Sequence, residues 1–141
     1  MYLAMSGRSR LAWATILPII DGVGFAIIEV ATQAELGWVK PIWDPSIPYL
    51  IGMFIILSVP WVYWRNFWLW LYSTVIAFWS EDAFYWVFAW EVPHSWGFYI
   101  TWDGVPLLYI PAAAITAFAL IMYTRSQSNT AKKHSASVEV F

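Results

Sequence analysis

The sequence predicts an all-α integral membrane protein with four transmembrane helices, both termini in the cytoplasm, and a Trp-rich outer loop between helices 3 and 4. Three observations lead there. The first is composition: 61% of the residues are apolar and 11% charged, against ~25% charged in ordinary soluble domains. The second is that four long apolar stretches can be drawn along the 141 residues. The third is where the seven Lys and Arg residues fall. Arg8 and Arg10 precede the first stretch, Arg65 sits between the second and third, and Arg125, Lys132 and Lys133 follow the fourth. Only Lys40 lies on the other side. Basic residues concentrate on the cytoplasmic side of short membrane loops, which sets the orientation and places the chain in the cell membrane.

A spanning helix needs about 20 mostly apolar residues. The first is expected at 11–31, crossing Pro18 and the run Asp21-Gly22-Val23-Gly24, where the helix is open to local unwinding. Its length, its internal Asp21 and the lack of a small-residue cleavage site mark a retained helix rather than a signal peptide. Pro41, Pro45 and Pro48 then mark a loop, with Trp38 and Trp43 suited to the membrane interface. The second helix is expected at 47–64, followed by a tight turn at Arg65-Asn66. The third is placed at 67–90. A minimal helix stops near Trp79, but the following segment to Trp90 holds neither Gly nor Pro, and Pro93 bars any further extension. The fourth is expected at 105–124, with Asp103 as its cap and Pro106 in its first turn. Residues 1–125 thus form the bundle, and the polar stretch 126–141 reads as a flexible cytoplasmic tail.

Ala112, Ala113, Thr116 and Ala117 give the fourth helix a small-residue face, and Ser73, Thr74, Ala77 and Ser80 do the same for the third. Such faces let membrane helices approach closely. Trp61, Tyr63, Trp64, Phe67 and Trp68 surround the cytoplasmic turn, while Trp86, Trp90, Trp96, Tyr99 and Trp102 surround the outer loop. Amphipathic rings at both headgroup levels are the anchoring pattern of spanning helices. The absence of Cys removes disulfides, thiolate metal sites, Fe–S clusters and thiol catalysis. Six cytoplasmic basic residues spread over three short segments make no stripe, so no nucleic-acid partner is expected.

Function is read from the acids. Seven of the nine lie in the outer half of the predicted layout: Glu29, Glu35, Asp44, Glu81, Asp82, Glu91 and Asp103. Asp21 lies ten residues into its helix, roughly 15 Å deep, and Glu81 about 21 Å along the third helix. An ionised side chain at mid-membrane costs ~3 kcal/mol on insertion scales and marks a functional path or a partnered site. None of the four expected spans contains a Lys or Arg to serve as partner. Three options follow: protonated and hydrogen-bonded acids, a bound metal ion, or a cationic or hydroxyl-bearing ligand. Adjacent acids on a helix point about 100° apart, so Glu81 and Asp82 share one small site only if the helix end unwinds. Glu81, Asp82, Glu91 and His94 are the candidate ligands of a divalent metal, the one cofactor considered, since a His among carboxylates suits Zn, Mn or Fe. No recognised metal-binding spacing accompanies them.

Trp38-Val39-Lys40-Pro41 and the Trp content resemble the tryptophan-rich sensory proteins, which bind porphyrins and sterols. The resemblance covers those few residues. The Pro-Pro and Trp-x-x-Leu-Tyr pattern does not follow in order, and four spans are counted where that family has five, so no family is assigned. The expectation is a multi-pass membrane protein whose outward-facing acidic and aromatic cavity binds a small ligand or divalent metal. Asp21, Glu29, Glu81 and Asp82 would line it, with Trp86, Trp90 and Trp96 as walls. The alternatives are an accessory subunit of a larger membrane complex and a small proton-coupled transporter acting as a homodimer.

Overall fold

A computed structural model of the chain describes residues 6–36, 47–95 and 99–138, with side chains described in 6–31, 51–95 and 99–130. Four α-helices account for most of it: α1 (Gly7–Leu36), α2 (Ile47–Ser58), α3 (Phe67–Ala89) and α4 (Tyr109–Val138). A 3-10 segment, Val59–Trp64, continues α2. A two-stranded antiparallel hairpin, β1 (Thr101–Trp102) and β2 (Val105–Pro106), precedes α4. Among the described residues, Gly7–Ala31 is the one helix long and apolar enough to cross a membrane, with mean hydropathy 1.9, and Ile51–Trp64 is a shorter apolar helix.

The third helix is the hub. Its α1 face carries Ser73 and Ala77, its α2 face Trp70 and Phe78, and its α4 face Trp68 and Trp79. Trp68 meets Phe118 and Trp79 meets Tyr109, so α3 and α4 run antiparallel. The contacts of α1 rise in step with those of α3, from Ala14 against Ser73 to Gly22 against Ala77 and Ser80, so these two helices run parallel.

The close approach of α1 to α3 has two sources. Pro18 lies inside α1 and has no N–H, so the Ala14 carbonyl one turn earlier loses its helical partner. The Ser73 hydroxyl donates to that carbonyl at 2.9 Å, and both groups are fully buried. One turn further on, Gly22 presses against α3. A Cβ there would overlap the Ala77 carbonyl oxygen and stand 2.8 Å from the Glu81 nitrogen. Below the seam, the Thr15 and Tyr72 hydroxyls hydrogen-bond at 3.0 Å.

Where α2 passes into the 3-10 segment, Pro60 breaks the α-helical ladder. Two indoles take up carbonyls there: Trp61 Nε1 donates to Leu57 and Trp70 Nε1 to Ser58, each at 2.9 Å. Trp61 and Trp64 are therefore core residues, packed with Ala14, Leu69, Tyr72, Ala119 and Tyr123. Of the ring anchors expected at this end, Tyr63 and Phe67 are the exposed ones.

The element boundaries correct the sequence reading in four places and agree with it at the end of α3. α1 begins earlier and ends later than 11–31, and it stays helical through Asp21-Gly22-Val23-Gly24. The last six residues of the 47–64 helix are 3-10 rather than α. α3 continues past Trp79 to Ala89, near the end placed at residue 90. There Trp90 takes a left-handed conformation (φ 57°), and its N–H and that of Glu91 return to the Val87 and Trp86 carbonyls. Asp103 is not a helix cap. With Gly104 it forms the hairpin turn, both at positive φ (51° and 76°), and Pro106 lies in β2. Mirror-image turns with Asp-Gly suit two-residue hairpins because both central residues tolerate φ > 0. Finally, α4 starts at Tyr109 instead of Val105 and remains helical to Val138, through most of the stretch expected to lack helix.

The core is mainly apolar, with a few polar side chains buried in it and several large aliphatic ones left exposed. Ser58, Ser73, Thr74, Ser80 and Glu81 are buried, whereas Ile20, Ile28, Val62 and Ile110 are each more than 60% exposed.

The hydroxyl–carbonyl bridge is testable by a double-mutant cycle. Ser73→Ala leaves a buried carbonyl unpaired and is expected to cost about 1–2 kcal/mol of unfolding free energy in detergent. In a Pro18→Ala background the helical N–H is restored, and the same change is expected to cost less than half as much. Equal costs in the two backgrounds would refute the bridge.

Candidate functional site: two acids turned apart

Glu81 and Asp82 lie in regular helix, so their side chains diverge by about 100°. The expected single site is thereby divided in two. Glu81 is 6% exposed, lies beside Gly22 of α1, and its carboxyl hydrogen-bonds that of Glu29. Glu29 comes from the C-terminal part of α1, seven residues beyond Gly22, so the two acids meet from different helices across one seam.

Asp82 turns the other way. Its carboxyl accepts the Tyr99 hydroxyl at 2.8 Å and the Tyr109 hydroxyl at 2.7 Å. Trp86 Nε1 donates to the Tyr99 oxygen at 3.0 Å and also hydrogen-bonds Asp82. One side chain of α3 thus ties together the segment after Pro93, the start of α4 and the last turns of α3. A half-buried carboxyl satisfied by several donors is a rigid clamp. Burial first, and then the Asp82 carboxyl beside it, hold the Tyr99 phenol well above the usual tyrosine range. Next to this clamp lies an open apolar groove of about 1180 Å³, lined by Trp79, Trp102, Val105, Leu107, Ile110 and Ala113.

The remaining sequence candidates are dispersed. Asp21 lies on the flank of α1, half-buried, with its Oδ2 buried and without a hydrogen-bond partner. Trp86 is buried, as a wall residue should be, but it serves the Asp82 clamp. Trp90 is 94% exposed and encloses nothing. Trp96 lies outside the described residues. Glu91 and His94 are exposed, and the His94 ring stands edge-on to Trp86. Glu81 and Asp82 are therefore turned apart while Glu91 and His94 stand at the surface. Among the described residues no three His, Asp or Glu side chains converge on a point where a metal ion could be held.

Sequence reasoning missed Tyr109 and Thr74 as site residues and treated Tyr99 only as an interface ring. Tyr99 and Tyr109 carried no signal, because their partnership with Asp82 spans 17 and 27 residues. Thr74 did carry one: it stands seven residues before Glu81, two turns away on the same face. Its Oγ1 is buried and has no partner, although Thr15, Ser80 and Thr116 all return their hydroxyls to the preceding turn.

Comparison with family models, with curated proteins and with solved structures finds no match.

The raised Tyr99 phenol has a defined pH signature. Unfolded tyrosine loses its proton near about 10, whereas folded Tyr99 retains it, so the unfolded state releases a proton that the folded state keeps. Stability is therefore expected to fall as pH rises past ~10. Tyr99→Phe should lower the plateau and flatten this alkaline limb in a melting-temperature series from pH 8 to 11. An unchanged slope would remove Tyr99 from the clamp.

Proposed function

We propose that the protein is a four-span membrane protein of the cell membrane, with cytoplasmic termini, and that its α1/α3 seam is a proton- and cation-handling site. The carrying observation is the Glu29–Glu81 carboxyl pair. A hydrogen bond between two carboxyl groups contains one hydrogen, so the pair holds a proton between two helices. None of the expected spans supplies a Lys or Arg to neutralise it. Acids kept inside a membrane bundle under those conditions serve ion or proton pathways in many transporters.

The spanning architecture is supported by the many exposed apolar side chains and by the basic residues at one set of helix ends. Membrane helices associate through small and hydroxyl residues, and the α1/α3 seam has Gly22, Ser73 and Ala77 at its centre. Exposed apolar side chains such as Ile28 and Ile110 then face lipid. In this proposal the site keeps Glu29 and Glu81 of the expected cavity and loses Trp90, Glu91 and His94, which stand at the surface. A second role, as one subunit of a homodimer or larger membrane complex, is favoured by α4, whose Ala113, Ala117 and Phe118 remain exposed.

Two measurements test the proposal. The chain has no Cys, so single cysteines introduced at Ser6, Ser95 and Ser128 can be read without background. Membrane-impermeant maleimide should reach Ser95→Cys from outside intact cells, and Ser6→Cys and Ser128→Cys only after lysis. Labelling of all three from one side would overturn the four-span layout. For the site, the infrared spectrum at neutral pH in sodium-free buffer should contain a protonated-carboxyl band that Glu81→Gln removes. Its absence from the unmodified protein would sink the shared proton.

A further inference from the structure

The stripe of α4 that packs on α3 runs on after α3 has ended. Phe118 of α4 meets Trp68, the second residue of α3, with ring centroids 5.5 Å apart. The two helices are antiparallel, so the later turns of α4 lie beyond the start of α3. Met122, Arg125, Ser126, Asn129 and Thr130 follow Phe118 at steps of three and four residues, which keeps them on one face of α4. Arg125 stands roughly 10.5 Å further along the axis than Phe118. The stripe changes character on the way. Phe118 and Met122 are apolar, and the next four members carry a guanidinium, an amide and two hydroxyls.

These side chains form a common site. Trp68, Met122, Arg125, Ser126, Asn129 and Thr130 line one surface pocket of about 430 Å³. Among the described residues no acid lines it. The Thr130 hydroxyl donates to the Ser126 carbonyl at 3.0 Å, so the donors that remain are the Arg125 guanidinium, the Asn129 amide and the Ser126 hydroxyl. The N-terminal end of α3, where the helix dipole is positive, begins at the level of Trp68. The pocket is therefore positive on one side and apolar on the other.

We propose that this pocket binds the phosphate of an anionic membrane lipid, with Arg125 as its charged donor and Ser126 and Asn129 beside it. The inference rests on the four-span reading, which puts Arg125 at the cytoplasmic surface directly after the expected span 105–124. A guanidinium pairs with phosphate oxygens through two parallel hydrogen bonds. Basic pockets between helices on the cytoplasmic side take lipid headgroups in other membrane proteins. The volume falls in the ~300–1,000 Å³ range of small-ligand sites, enough for a headgroup. The acyl chains have their own path, since Phe118 and Ile121, on the membrane side of the pocket, are 52% and 49% exposed. An anionic headgroup fits better than a zwitterionic one, whose ammonium would find no acid in the lining.

The test uses the purified full chain in detergent, followed by native mass spectrometry, with phosphatidylglycerol, phosphatidylcholine and inorganic phosphate as probes. One phosphatidylglycerol per chain should be retained, at a concentration about 5-fold or more below that needed for phosphatidylcholine. Arg125→Gln should abolish this preference. Arg8→Gln removes the same charge outside the pocket and should leave the preference intact. Both arginines are exposed, so neither change should move the melting temperature in lipid-free detergent. Equal losses in the two variants would reduce the effect to general surface charge and overturn the pocket. Inorganic phosphate held as tightly as the lipid would reveal a free-anion site and overturn the lipid assignment. Release of the chain from membranes by alkaline carbonate would refute the four-span reading itself. A chain that stays in the membrane yet shows no lipid preference would overturn this pocket alone.

Discussion

The fold depends on one close contact between two parallel helices. At Gly22, α1 meets α3 so tightly that a single added methyl group would overlap the Ala77 carbonyl. A proline one turn earlier deepens the constraint, because it strips the Ala14 carbonyl of its helical partner and leaves a polar group on the contact face. The Ser73 hydroxyl supplies that partner from the neighbouring helix. Proline and serine thus act as a pair: the first creates an acceptor and the second occupies it. Because both groups are buried, where water cannot substitute, such a bridge sets the register as well as the distance.

From that register the rest follows. Gly22 beside Glu81 brings the C-terminal part of α1 within reach of the Glu81 carboxyl, and Glu29 meets it there. The same helix geometry sends Asp82 to the far side, where two phenols and an indole satisfy it. Two adjacent acids thereby have different roles. One is held by another acid and the other by hydroxyl donors, and the division needs nothing more than a regular helix with neighbours on several faces.

The aromatic residues divide in the same fashion. Some are exposed beside the turn between α2 and α3, as Tyr63 and Phe67 are. Others are structural donors: Trp61 and Trp70 cap the carbonyls left by the α-to-3-10 transition, and Trp86 completes the Asp82 clamp. An indole is suited to this work because it combines a large apolar body with one N–H donor, although the buried Trp64 and Trp79 N–H groups have no acceptor among the described residues.

Much of the helical layout was legible in the chain itself, because apolar stretches and prolines are local signals. The end of α3 near residue 90 and the turn at Arg65-Asn66 are of that kind; the Asp103-Gly104 hairpin had a local signature too, but Asp103 was read as a helix cap. The acids were legible as unusual, since no basic residue shares their spans. Their partners were not. Glu29 and Glu81 stand 52 positions apart, and Ala14 and Ser73 stand 59 apart. The sequence by itself determined the middle of each helical segment and marked the acids as groups that would need company. Only the tertiary structure decided what company each keeps, because a helix's face is set by its own period while its neighbour's height is set by packing at a few close contacts.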